Sequence, residues 1–229
     1  QPAASLSGAQ PARPEVDVGR VGRAGLVGLA GVLVEVLGAV SAVAWYTYPV
    51  RALGLGIVLR NAAAAASAAV LFGQPANLAG VAVVVAALRG LSEAFGDRRV
   101  FRYGVYALAL WALDTLILAA WVYEVAAALR EGFPTQSQFA YMVLLYVASP
   151  TVFVMVAYFF RRAYELLSER TASLSPGASS KFRVAARLYR AGALLSYLFV
   201  GYILILVALI LVAAAFDDLR RLALPARAP

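Results

Sequence analysis

AGALLSYLFVGYILILVALILVAAAF, residues 191–216, carries no charge, and the neighbouring charges are Arg190 and Asp217. A helix rises about 1.5 Å per residue, so about 20 apolar residues cross a hydrocarbon core of roughly 30 Å. No soluble fold needs a helix that is apolar on every face for so long. The pattern from Tyr189 to Phe216 therefore predicts one membrane-spanning helix, and places the chain in a bilayer.

The rest of the chain agrees. Apolar residues make up 63% of the 229 and charged residues only 14%, against about a quarter in soluble domains. That length holds about five or six membrane-embedded helices joined by short loops. The expected fold is all-α: a polytopic membrane helix bundle over 25–222, between a disordered N-terminal tail (1–24) and a flexible C-terminal tail (223–229). The tail is rich in Pro, Ala, Ser and Gly and lacks the apolar run of a signal peptide. Net charge is +8. The basic residues sit at helix ends, so they read as topology signal and lipid-headgroup contact rather than as a nucleic-acid surface. There is no cysteine and no histidine. Disulfides, thiolate chemistry and the commonest metal, haem and general-base ligands are thereby removed. No metal and no cofactor is expected. Few Asn and Gln, no Cys, and arginine far outnumbering lysine (Lys181 being the single one) point together to a heat-adapted, GC-rich source.

Along the chain, helices are expected at 26–47, 76–95, 100–129 and 139–160, ahead of the final span. Gly22, Gly25, Gly28 and Gly31 recur every third residue, and small residues let another backbone approach closely. They fit an oligomer seam and internal packing equally. Trp45, Tyr46 and Tyr48 belong at an interface, with Pro49 ending the helix. Segment 52–72 is long enough to span but holds Arg60 and Asn61 near its centre; it reads as spanning or re-entrant. Gly96 is an expected C-cap and Asp97 an expected N-cap. Pro150 is expected to kink the helix 139–160, with the hydroxyls of Ser149 and Thr151 as local partners for the freed carbonyl. The stretch TASLSPGASS, 171–180, reads as a flexible linker. After it comes a basic amphipathic lead-in, 181–190, with Arg183, Arg187 and Arg190 on one face.

Positive charge sets sidedness. Arg98, Arg99 and Arg102 mark one loop, and Arg161 to Arg190 another. Two helices separate them, so both fall on one side, the cytoplasmic one of a cell membrane. The loop near Arg130 and the C-terminus are then expected on the other. The N-terminal tail is outside if 52–72 spans and inside if it is re-entrant.

Two stretches, LRGLSEAFGDRRVFRYGVYALAL (88–110) and KFRVAARLYRAGALLSYLFVGYILILVALILVAAAF (181–216), carry a family pattern. Gly96, Asp97 and Phe101 fit a GD-x-x-x-F turn between two helices. Phe182, Ala185, Tyr189, Gly192, Ala193 and Gly201 fit a basic-aromatic lead-in to a glycine-containing last helix. From about Leu26 onward the chain resembles an archaeal integral-membrane family of unknown function, domain of unknown function number nine hundred and ninety-six. The resemblance implies an architecture and no mechanism.

Glu35 and Asp114 lie near the centres of their helices. Buried acids in a membrane are costly and are functional candidates by default. The reading preferred is structural: either acid pairs with Arg60, or hydrogen-bonds to a neighbouring hydroxyl. Ion or proton handling comes next, then contact with a partner subunit. Arg161, Arg162, Lys181, Arg183, Arg187 and Arg190 are candidate contacts for anionic lipid headgroups. The alternative is that they mark sidedness only, or pair with Glu165 and Glu169. Tyr103, Tyr106, Tyr123, Tyr141, Tyr146 and Tyr158 read as packing or interface anchors rather than a ligand site. Of three function classes, the leading one is a non-catalytic subunit, assembly factor or scaffold, alone or with a membrane-protein partner or a second copy. The alternative is a small ion, proton or solute transporter or channel using Glu35, Arg60 and Asp114. An intramembrane enzyme is set aside for want of His, Cys or a paired-acid motif.

Overall fold

The computed structural model describes residues 16–52, 73–131, 134–195 and 199–223. Six α-helices and no strand occur among them: α1 (Val18–Ala52), α2 (Gln74–Phe95), α3 (Arg98–Glu131), α4 (Gln136–Thr171), α5 (Pro176–Leu194) and α6 (Phe199–Leu222). Among the described residues, four stretches are long and apolar enough to cross a membrane: Val18–Val40, Gln74–Phe95, Arg98–Val125 and Gln136–Thr171. The all-α membrane bundle expected from composition is the fold observed.

Local chemistry explains the helix ends. The Asp17 carboxylate accepts from the backbone N–H of Arg20 at 2.9 Å and caps α1, which thus starts well before residue 26, inside the stretch expected as tail. The backbone of α1 also runs past Pro49 to Ala52. Gly96 ends α2 in the left-handed region, with φ of 66°, a conformation that favours glycine. Asp97 then caps α3 through Arg99 N–H at 3.1 Å. Thr135 and Gln138 form a reciprocal capping box at the start of α4.

Two expectations need correction. The linker 171–180 is a tight turn confined to 172–175. The Ser175 hydroxyl caps α5 by accepting from Ala178 N–H at 3.3 Å, and Pro176 takes the first helical position, where its missing N–H costs nothing. Ser179 Oγ donates to Ser168 carbonyl oxygen at 2.7 Å and ties the turn to α4. The larger correction concerns 189–216. This is not one spanning helix. Helix α5 ends at Leu194, α6 begins at Phe199, and the two pack against each other as an antiparallel hairpin. Residues 196–198 lie outside the described set. The pairing is fixed by the Lys181–Asp218 ion pair at 2.7 Å and the edge-to-face contact of Phe182 with Phe216 at 5.5 Å. Glycine permits it. A β-carbon on Gly192 would lie 2.9 Å from the Gly201 carbonyl oxygen and 2.6 Å from Ile205 Cγ1, closer than atoms pack.

Each helix packs on its neighbours in sequence, and α1 closes the ring on α6. Glycines make the closure close. A β-carbon on Gly25 would come within 2.6 Å of Arg220 N, and one on Gly31 within 2.7 Å of Val84 N. A three-residue step lags the helix by about 60° each time. The glycine row therefore turns from α6 toward α2 as α1 proceeds. These glycines serve internal packing. Inside the ring one core cluster draws on all six helices. Its centre is aromatic: Tyr164 stacks on Phe160 at 5.8 Å and on Phe182 at 5.8 Å, and meets Tyr189 at 5.6 Å.

The hairpin returns the chain to the end from which α5 started. The start of α1, the Gly96–Asp97 turn, the end of α4 and the end of α6 share one polar end, joined by Arg20–Glu93 (3.4 Å), Arg170–Asp97 (2.9 Å) and Lys181–Asp218 (2.7 Å). The C-terminal end of α6 thus lies with Arg98 and Arg161, not opposite them as expected. The choice between spanning and re-entrant for 52–72 lies outside the described residues. α1 arrives at the far end, however, and α2 leaves from it. Single cysteines test this arrangement. An impermeant thiol reagent is expected to label Ser173→Cys and Arg221→Cys from the same side, and Gln136→Cys from the other. Labelling of Arg221→Cys together with Gln136→Cys would disprove the hairpin.

Candidate functional site

The embedded acids occupy separate places. Glu35, 3% exposed, sits on the inner face of α1. Gly80 of α2 packs against its backbone. Its carboxyl lies within electrostatic reach of the buried phenols Tyr164 and Tyr189, from α4 and α5. Asp114, 7% exposed, projects from α3. Its partner is the Ser149 side chain, next to Pro150 on α4, while its Oδ1 has no hydrogen-bond partner among the described residues. Nearby, Trp111 and Phe153 meet edge-to-face at 5.6 Å. Glu35 packs against α2, whereas Asp114 packs between α3 and α4. Arg60, the expected counter-charge, lies outside the described residues. Among the described residues no cluster of acids could hold a metal ion.

The candidate headgroup contacts divide into two sets. Arg161 donates to Glu165 at 2.7 Å, one turn away on α4. Arg162 reaches the same carboxylate at 3.4 Å and lies over the Tyr158 ring at 5.6 Å. Lys181 is held by Asp218 at 2.7 Å, and Arg183 reaches Ser168 Oγ at 3.4 Å. Arg187 and Arg190 are exposed on α5 and make no ion pair among the described residues. The buried face of α5 is Ala178, Phe182, Ala185, Ala186, Tyr189 and Ala193, so the basic row expected from spacing points away from the core. Tyr106, Tyr123, Tyr141, Tyr146 and Tyr158 are 44% to 72% exposed, the placement of surface anchors.

Two features escaped sequence reasoning. The first is the role of Asp97, expected only as a cap. It is nearly buried yet accepts four hydrogen bonds. Arg99 supplies its backbone N–H at 3.1 Å, Nε at 3.0 Å and a terminal nitrogen at 2.9 Å; Arg170 supplies another terminal nitrogen at 2.9 Å. The second is a cavity of about 480 Å³ between the polar ends of α2 and α3, lined by Arg89, Ser92, Glu93, Arg98, Phe101, Arg102, Val105 and Tyr106. The four-residue spacing of Arg98 and Arg102 is visible in sequence; their facing Arg89 across a helix pair is not.

The Arg99 guanidinium bonded to the Asp97 side chain holds that carboxyl well below the usual carboxylate range; burial opposes this, and Arg170 reinforces it. A carboxyl that keeps its charge to lower pH when folded stabilises the fold fully above its unfolded pKa of about 4, and the stabilisation fades as pH falls toward the folded value. Both arginines are partly exposed, which weakens the ion pairs. Asp97→Asn is expected to lower stability in detergent by about 1–3 kcal/mol at pH 7. The gap to wild type should narrow below about pH 4. A gap constant from pH 7 down to about 3 would contradict the charged role.

Comparison with known proteins fits this architecture. An uncharacterized protein of Methanocaldococcus jannaschii is 33% identical over 153 residues, which cover 62% of this chain and 81% of the relative. No solved structure matches. Residues 76–210, from the start of α2 into α6, match the family described as Protein of unknown function (DUF996). The residues that carried the resemblance are architectural here: Gly96 caps α2, Asp97 binds α3 to α4, and Gly192 and Gly201 seat the hairpin. The chain belongs to this family of proteins of unknown function.

Proposed function

We propose that the protein is a non-catalytic, multi-pass component of the cell membrane: a subunit, assembly factor or scaffold that presents a rigid helical surface within the bilayer. The supporting observation is the filled interior of the ring. Phe160, Tyr164, Phe182, Tyr189 and Phe216 are each 1% exposed or less and interlock by ring contacts. A packed aromatic centre supports rigidity and disfavours a path along the ring axis. The outer faces of α3 and α4 are the surface offered to a membrane partner or a second copy. Leu116, Tyr123, Leu144 and Tyr146 are 62% to 72% exposed there. The polar end, with its excess of arginine, is assigned to the cytoplasm. Arg187 and Arg190 are assigned to anionic headgroups, because no protein carboxylate described here neutralises them.

One observation favours the second reading, a small transporter. Asp114 is buried in a candidate span, near a proline, with a carboxylate oxygen that has no partner among the described residues. Such a group can exchange a proton or hold a cation. Reconstitution separates the two. Purified protein in liposomes is expected to pass protons and potassium no faster than protein-free liposomes, with Asp114→Asn identical. A flux that Asp114→Asn abolishes would establish transport instead. For the scaffold itself, photo-crosslinking residues at Tyr123 and Tyr146 in intact membranes should yield a discrete protein adduct. Adducts with lipid alone would remove that reading.

A further inference from the structure

The cavity between α2 and α3 is polar at one end and apolar at the other. Both sides lie at the polar ends of candidate spans, Gln74–Phe95 and Arg98–Val125, the depth at which headgroups meet acyl chains. Three guanidinium groups line it, Arg89, Arg98 and Arg102, against one carboxylate, Glu93. That carboxylate is already taken, by Arg89 at 3.1 Å and by Arg20 at 3.4 Å. Arg98 and Arg102 stand one turn apart on α3, both exposed, and make no ion pair or side-chain hydrogen bond among the described residues. One turn deeper the lining turns apolar: Val105 is 39% exposed and Tyr106 46% exposed, with Phe101 half-buried beside them. The volume, about 480 Å³, falls in the range of pockets that hold small organic groups.

We propose that this groove holds one anionic membrane phospholipid, its phosphate on Arg98 and Arg102 and the first part of an acyl chain against Phe101, Val105 and Tyr106. Two unneutralised guanidinium groups match a phosphate, which they can engage with paired N–H donors. The order of charge then apolar surface, running from the polar end inward, matches a lipid seated parallel to its neighbours in the leaflet. A free inorganic anion would satisfy the arginines but leave the apolar wall exposed. An acidic protein segment would have to bury its backbone against that wall without partners. The lipid satisfies both halves.

The test is native mass spectrometry of the full chain in micelles doped with equal amounts of phosphatidylglycerol and phosphatidylcholine. Beyond any headgroup held at Arg187 and Arg190, wild type is expected to retain one further phosphatidylglycerol in preference to phosphatidylcholine. Arg98→Gln with Arg102→Gln should weaken that retention roughly tenfold. A charge-matched control, Arg23→Gln with Arg221→Gln, should leave it unchanged. Val105→Trp keeps both charges and fills the apolar wall, and should also release the lipid. Retention is scored per folded molecule, with the melting temperature of each variant measured alongside. Equal retention of the two lipids by wild type, or an equal loss in the control pair, would overturn the proposal. So would retention that survives Val105→Trp, or displacement of the lipid by millimolar inorganic phosphate alone, which would mark a simple anion site.

Discussion

Close approach of helix backbones is the constraint on which this fold rests. In a bilayer, apolar side chains gain little by leaving lipid for one another, so helices associate through packing and through polar contacts at short range. Glycine is what brings backbones within reach. Gly192 and Gly201 let α5 and α6 fold onto each other, and Gly25 lets α1 come against the backbone of α6. Gly31 and Gly80 do the same between α1 and α2. Without these contacts α6 would not return to the polar end, and the ring would have no closing element. The aromatic centre then follows, because closure faces Phe216 toward Phe182, and Phe182 toward Tyr164.

Electrostatics are sorted by depth. At the polar end, carboxylates and guanidinium groups are matched across helices distant in sequence, with Asp97 joining the α2–α3 turn to the end of α4. Water is near enough there to keep such pairs inexpensive. Deeper in the bundle only Glu35 and Asp114 are buried acids among the described residues. Each is set among hydroxyls or phenols rather than described cations. That separation weakens any mechanism requiring the two acids to act together. Asp114 keeps a buried carboxylate oxygen with no hydrogen-bond partner among the described residues.

The residues by which the family pattern is recognised occupy structural positions. Phe182, Ala185, Tyr189 and Ala193 form the buried face of α5, Gly96 is a left-handed cap, and Phe101 packs against the core. A pattern made of caps, close approaches and core aromatics describes how a bundle holds its shape. Arg98 and Arg102, exposed at the α2–α3 groove, are different. They contribute nothing visible to packing, and their lack of described carboxylate partners is the feature that points outward from the fold.

Hydropathy and helix signals made the membrane class, four of the helices, the Gly96 cap and the Asp97 cap legible in the sequence, because those depend on residues within a turn or two of each other. The same local view misread 189–216 as one span. An apolar run reports that a segment can lie in lipid, and says nothing about whether it reverses direction within it. The reversal depends on Gly192 meeting Gly201 and on Lys181 meeting Asp218, contacts that exist only once the chain has folded back. Misplacement of the C-terminal end followed from that single error. The candidate sites divide the same way. Spacing identified Glu35, Asp114 and the arginine row of α5 as unusual. Only tertiary structure decided that the two acids lie apart, that Lys181 is neutralised by Asp218, and that Arg98 and Arg102 line a groove. Spacing records where a side chain sits on its own helix; what faces it is set by the neighbouring helix, at sequence separations no local pattern reaches.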